Sequence, residues 1–281
     1  MSALPQGAWL GIALLALVVV VVVAASSRHR RHAAALRSPL GAAERQALES
    51  LSPLYRRMPA GLQRELEPAM RAFLARVEFV GCNGLSVDDG MRLLVALHAA
   101  LLTRRIGIDA FGSLYSVLVY PDEFVVEQRF EDEETGLVTE GTEVLSGQTI
   151  ATDRIIVSWR DVLESDSADG PYNVIAHELA HYLDHALDGA LSDPQGNSDW
   201  HATLEREQVA LQRALDAGED TLIDAYGAED PAEFLCVATE TFLEAPVQMR
   251  ERHPALYAEL SRFYGLDPAR WPGPDPAPSR A

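Results

Sequence analysis

Apolar residues recur along this chain with changing periods, and the changes divide it into blocks. Ala8–Ala25, AWLGIALLALVVVVVVAA, is an uncharged apolar run. It is just long enough to cross a bilayer core of about 30 Å as a helix. Two helical patterns follow a basic stretch. Leu48, Leu51, Leu54 and Tyr55 mark a helix between Gly41 and Met58, and Leu66, Met70, Phe73, Leu74 and Val77 mark another over Leu62–Val77. A third helix, MRLLVALHAALL, starts near Ser86 or Asp88, either able to serve as N-cap. The period then shortens. SLYSVLVY, EFVVEQRF and RIIVSW are rich in Val, Ile, Tyr and Phe and read as strands, with the acidic Glu131–Glu134 between the second and third. From Pro171 to about Leu266 the pattern is helical again, and the tail WPGPDPAPSR is Pro-rich. Helices, strands and helices again predict one mostly helical α+β domain with a small sheet. The expected division is an anchor over 1–27, a basic linker over 28–40, the domain over 41–268 and a tail over 269–281.

Charge sets the topology and removes one class of partner. Arg28, Arg30 and Arg31 directly follow the apolar run, and no charged side chain precedes it. A secretory signal has the opposite polarity, so the run reads as a single-pass inner-membrane anchor with the domain in the cytoplasm. The alternative is an export signal ending near Ala24–Ser26. In all, 23 Lys+Arg stand against 42 Asp+Glu, a net charge of −19. So acidic a chain repels phosphate backbones, which argues against direct nucleic-acid binding. Cys82 and Cys236 form no CxxC pair, which excludes a thiolate zinc cluster or a disulfide scaffold.

The chemistry lies in PYNVIAHELAHYLDHAL, which contains His177-Glu178-Leu179-Ala180-His181. Histidines four apart share one helix face and can reach one metal ion. Glu178 sits about 100° round the helix, placed to act as general base toward a metal-activated water. Val174, Ile175, Ala176, Leu179, Ala180 and Leu183 make this an apolar helix, and buried histidines and carboxylates need partners. One zinc ion per chain is the expectation, with a third protein ligand and an open position. A histidine ten residues after the first is absent, since that place holds Leu187, and His185 points about 80° away. In DPAEFLCVATETFLE, Glu233, Glu240 and Glu244 share a stripe only about 40° wide on a largely apolar helix. Glu240, at its centre, is the expected third ligand, with Glu244 behind a histidine and Glu233 serving the helix N-terminus. Glu205 and Glu207, on a polar helix, are the rivals. The strand RIIVSW, just before the motif, fits either an ordinary core strand or an edge strand that pairs with substrate backbone.

HELAHYLD, YPDEFVV, LSGQ with IIVSW, and AYGAEDPAEFLCVATETFLE together resemble the Mlc titration factor A family of zinc-dependent peptidases, over roughly Leu51–Leu266. The resemblance implies a gluzincin-like, zincin-type catalytic domain. It implies metal ligands at His177, His181 and Glu240, a catalytic glutamate at Glu178, and a matching tyrosine at Tyr226 whose phenol can stabilise an oxyanion. It further implies aminopeptidase-like cleavage of peptides and binding to a transcriptional repressor of sugar uptake. The membrane span departs from the family's pattern, and an anchored domain would hold such a partner at the membrane.

Overall fold

The computed structural model describes residues 38–122, 124–131, 138–145, 147–151, 153–165, 171–192 and 199–272. The apolar run 8–25, the basic stretch, Asp132–Glu134 and most of the Pro-rich tail lie outside the described residues. No described helix is long and apolar enough to cross a membrane.

The first helical pattern becomes two helices, α1 (Ala42–Leu51) and α2 (Pro53–Arg57). Pro53 has no N–H to continue α1, and Ser52 caps the new helix through Tyr55 N. Next come α3 (Ala60–Arg76), strand β1 (Glu78–Gly81) and α4 (Asp89–Leu102). Asp88 is the N-cap of α4, accepting from Met91 N at 2.8 Å. Nearly every residue of α4 from Met91 on is buried, so this helix is the centre of the core. It packs between α3 and the helix that carries the histidine motif.

Four strands make the main sheet, in the order β1, β2 (Ser116–Tyr120), β6 (Arg154–Ser158), β5 (Gly147–Ala151). β1, β2 and β6 run parallel, and β5 is antiparallel to β6. The strand preceding the motif is thus interior, as Ile155, Ile156, Val157 and Ser158, all buried, require. β5 stands at the edge. At Gly81 a Cβ would fall 2.0 Å from the Leu85 carbonyl, so the turn out of β1 tolerates no side chain there. β3 (Phe124–Glu131) and β4 (Val138–Leu145) form a separate antiparallel ribbon.

After α5 (Trp159–Glu164) the chain is helical: α6 (Val174–Ala186), α7 (Asp199–Asp216), α8 (Pro231–Glu244), α9 (Pro246–Arg252) and α10 (Pro254–Tyr264). α6 lies against α4, β6 and α8. One apolar cluster runs from Leu40 to Leu266. The domain is mostly helical with a small sheet, as the pattern predicts.

Candidate metal centre

Two helices supply the centre. On α6, His177 and His181 stand one turn apart, and their Nε2 atoms face each other at 3.1 Å. Across from them α8 begins at Asp230, whose carboxylate accepts from Ala232 N and Glu233 N, with Pro231 in the first turn. Asp230 alone caps α8, which frees the Glu233 side chain. Its Oε2 lies 3.2 Å from His177 Nε2 and 3.1 Å from His181 Nε2.

Glu240, two turns along α8, meets the other side of the same ring. His177 Nδ1 donates to Glu240 Oε1 at 2.7 Å, and the second Glu240 oxygen accepts from Asn173 N at 2.5 Å. From the stripe alone Glu240 is the expected ligand. In the structure both its oxygens are already bonded away from the point where the two Nε2 atoms meet. Glu244, one turn further along α8, is bonded to Asn173 Nδ2 and paired with Arg57. Glu205 is exposed and Glu207 bonds His253, so neither belongs to the cluster. His185 is exposed and lines a different depression, with Asp109 and Asp153.

The donor set suits a cation. A His177 ring that gives its Nδ1 proton to Glu240 presents a bare Nε2, so lone pairs of two imidazoles and a carboxylate converge. Their separations of 3.1–3.2 Å approach the roughly 3.3 Å between ligands of a tetrahedral ion with bonds near 2.0–2.1 Å. In the protein alone a proton answers part of this demand. Burial opposes charge on His177, but its hydrogen bonds to Glu233 and Glu240 outweigh it and push the imidazole up to about 10. Burial likewise opposes charge on Glu233, and His177 and His181 overcome it, holding that carboxyl down near about 2. A divalent cation would satisfy all three atoms at once. Cys236, one turn after Glu233, also lies within 4.8 Å of the histidine nitrogens, but burial pushes its thiol well up and keeps it protonated.

Glu178 is 3% exposed, and its Oε2 has no hydrogen-bond partner. Burial raises it to about 7 in spite of the two neighbouring histidines. Tyr226 reaches the rim from the 3-10 turn Ala225–Ala228. Its ring stacks on His177 with centroids 6.1 Å apart, and its hydroxyl donates to Glu233 Oε1 at 3.3 Å. Burial first, then Glu233, raises its phenol above the ordinary value.

The pattern of the glucose-regulated metallo-peptidase M90 family matches residues 25–265. The chain belongs to this family. It is 35% identical over 225 residues to Mlc titration factor A of Salmonella agona, covering 78% of this chain and 84% of that one. Against Mlc titration factor A of Pectobacterium atrosepticum it is 36% identical over 203 residues, 70% and 76% of the two chains. A protein of the same name from Edwardsiella ictaluri is 33% identical over 223 residues, 77% and 85% of the two. The M90 match starts where the apolar run ends, so it covers the described domain and leaves residues 8–25 almost entirely outside it. Two contributors to the site escape the sequence reading. Asn173 is one, a polar N-cap of α6 whose further bonds only the fold reveals. Glu233 as a partner of both histidines is the other, although the redundancy of Asp230 and Glu233 at one helix start signals it.

Proposed function

We propose that this M90 member is a zinc peptidase in which His177, His181 and Glu233 hold the ion and Glu178 is the general base. Glu233 replaces Glu240 as third ligand in this reading, and Glu240 becomes the carboxylate that fixes the His177 tautomer. The observation that carries it is the meeting of two Nε2 atoms and one carboxylate oxygen within 3.2 Å of one another. Zinc, when bound there, would polarise a water molecule and a substrate carbonyl and lower the water's pKa.

The chain's own groups do the rest. Glu178, near neutrality at about 7 and with an unbonded oxygen, is able to take a proton from water and pass it to a leaving amine. The Tyr226 hydroxyl, which donates to Glu233 Oε1 at the rim, would donate to a substrate oxygen as negative charge develops. The edge strand β5 offers backbone groups to an extended peptide.

The relatives' name speaks of titrating the regulator Mlc, which supports a second task, capture of a repressor. A binder alone has no use for a buried carboxyl such as Glu178, so hydrolysis is the primary reading. Residues 8–25 supply a membrane anchor, with the domain in the cytoplasm, and a reporter fused after Ala281 would behave as exported if that orientation is wrong.

The deciding experiment compares zinc content and peptide hydrolysis in single variants. Glu178→Gln should keep about one zinc per chain and lose at least about 100-fold in rate, the scale of general-base help. Glu233→Gln should lose most of its zinc. Glu240→Gln should weaken zinc about 10- to 100-fold, with activity recovered at high zinc. No zinc in the wild type purified without chelators would overturn the reading. Tight zinc in Glu233→Gln and none in Glu240→Gln would restore Glu240 as ligand.

A further inference from the structure

Behind the proposed ligands, on the Glu240 side of the His177 ring, the fold has a connected set of hydrogen bonds. Asn173 stands at its centre, 6% exposed, as the N-cap of α6. Its Oδ1 accepts from Ala176 N at 3.0 Å. That bond fixes the amide's orientation, since only oxygen can accept there, and turns Nδ2 inward. The two Nδ2 hydrogens then have two acceptors, Glu244 Oε1 at 2.6 Å and His98 Nε2 at 3.0 Å.

His98, on α4, is equally constrained. Its Nδ1 donates to the Leu94 carbonyl one turn back, at 2.9 Å, which leaves Nε2 bare to accept from Asn173. Glu244 is held from its other side by Arg57 on α2, at 3.1 Å, and the same guanidinium also donates to the Leu243 carbonyl. Flipping Asn173 would therefore break its three side-chain bonds at once, and changing the His98 tautomer would break two. A cavity of about 170 Å³ lies beside Asn173, His98 and Glu244, so hydrogen bonds keep the amide in place on that side.

The clamp ends on the metal centre. The backbone N–H of Asn173 donates to Glu240 Oε2, and Glu240 Oε1 takes the Nδ1 proton of His177. We propose that Asn173, clamped by His98 and Glu244, is the positioning residue that sets Glu240 and through it the ring angle and tautomer of His177. Neither Asn173 nor His98 touches the converging donors. Their effect passes through the orientation of one ligand, and the proposal rests on the metal reading above.

Three variants of the full chain test it. Asn173→Asp keeps an oxygen for Ala176 N but puts a second carboxylate oxygen, with no hydrogen to give, against Glu244 and His98. His98→Leu removes the acceptor and keeps the bulk. His98→Gln restores an acceptor in place of Nε2. Two readouts are taken: zinc affinity by chelator competition, and solvent exchange of the His177 Nδ1 proton by NMR in chelated protein. Asn173→Asp and His98→Leu should each weaken zinc about 10- to 100-fold, the scale for loss of a ligand's orienting partner. Both should speed the proton's exchange. His98→Gln should stay within about threefold of wild type on the same scale. Unchanged affinity and exchange in a folded Asn173→Asp would overturn the proposal. If that variant fails to fold, His98→Leu matching His98→Gln would overturn it. Absence of zinc from the wild type would fell the metal reading, and the exchange measurement would still decide the clamp.

Discussion

Replacing His98 with glutamine should flatten the acid limb of this protein's stability. His98 is 3% exposed, and burial pushes its imidazole down to about 4, only partly offset by the Leu94 carbonyl that favours the charged ring. In the unfolded chain the same group titrates at about 6.5. A depressed folded value means the unfolded state binds the extra proton first. His98 therefore contributes its full stability above pH 6.5 and loses it as pH falls toward 4. At about 1.4 kcal/mol per unit, a fall from 6.5 to 4 amounts to about 3 kcal/mol in all. About 2 kcal/mol of it should be gone by about pH 5. The local reason is visible. A proton on Nε2 would set N–H against the Asn173 Nδ2 hydrogens, donor facing donor. Urea unfolding of wild type and His98→Gln, chelated throughout, should be run from pH 8 to 5. Subtracting the variant cancels every other carboxyl and histidine. A difference that stays constant within about 0.5 kcal/mol over that range would refute the reasoning, because a titrating partner cannot leave so flat a difference.

Other outcomes follow from single contacts. Phe242 is fully buried against Tyr257 and Tyr264, with ring centroids 5.2 and 5.9 Å away. Phe242→Ala should lose about 3–5 kcal/mol in a denaturant titration. Asp230→Ala removes the cap that accepts from Ala232 N and Glu233 N, for about 1 kcal/mol of stability. It should also weaken zinc, measured by competition, because Glu233 would then serve the helix end. Gly81→Ala must move backbone, with the Leu85 carbonyl 2.0 Å from the new carbon. Its thermal midpoint should fall by more than that of Gly61→Ala, where nothing lies within 4 Å.

Much of the fold could be read from side-chain pattern because local chemistry decides it. Asp88, one of the two residues able to cap the third helix, does so, and Asp230 caps α8 from its place before an apolar helix. The break at Ser52–Pro53 is missed because apolar spacing continues across it, while the missing N–H of Pro53 stops the first helix. β1 is missed because four residues, EFVG, give too short a pattern. Its parallel pairing with β2 joins segments separated by a whole helix, and spacing along a chain carries no record of such partners. The same limit governs the site. A four-residue spacing brings His177 and His181 together on any helix. The three glutamates of α8 share one stripe by the same geometry, but their order against α6 depends on where the two axes cross. That crossing brings the start of α8 to Nε2 and its later turns to Nδ1.

Among the described residues the donors at the centre come from two helices, with His181 and Glu233 separated by 52 positions along the chain. An ion held as proposed would therefore act as a removable staple that closes a long loop containing α7. Loop closure grows only slowly with length, so the staple would hold α6 and α8 together almost regardless of what α7 does. A protease cut inside α7 would then leave a nicked protein in one piece while zinc is bound. Chelation would loosen it, and the occupancy of the centre would set how long the damaged molecule survives.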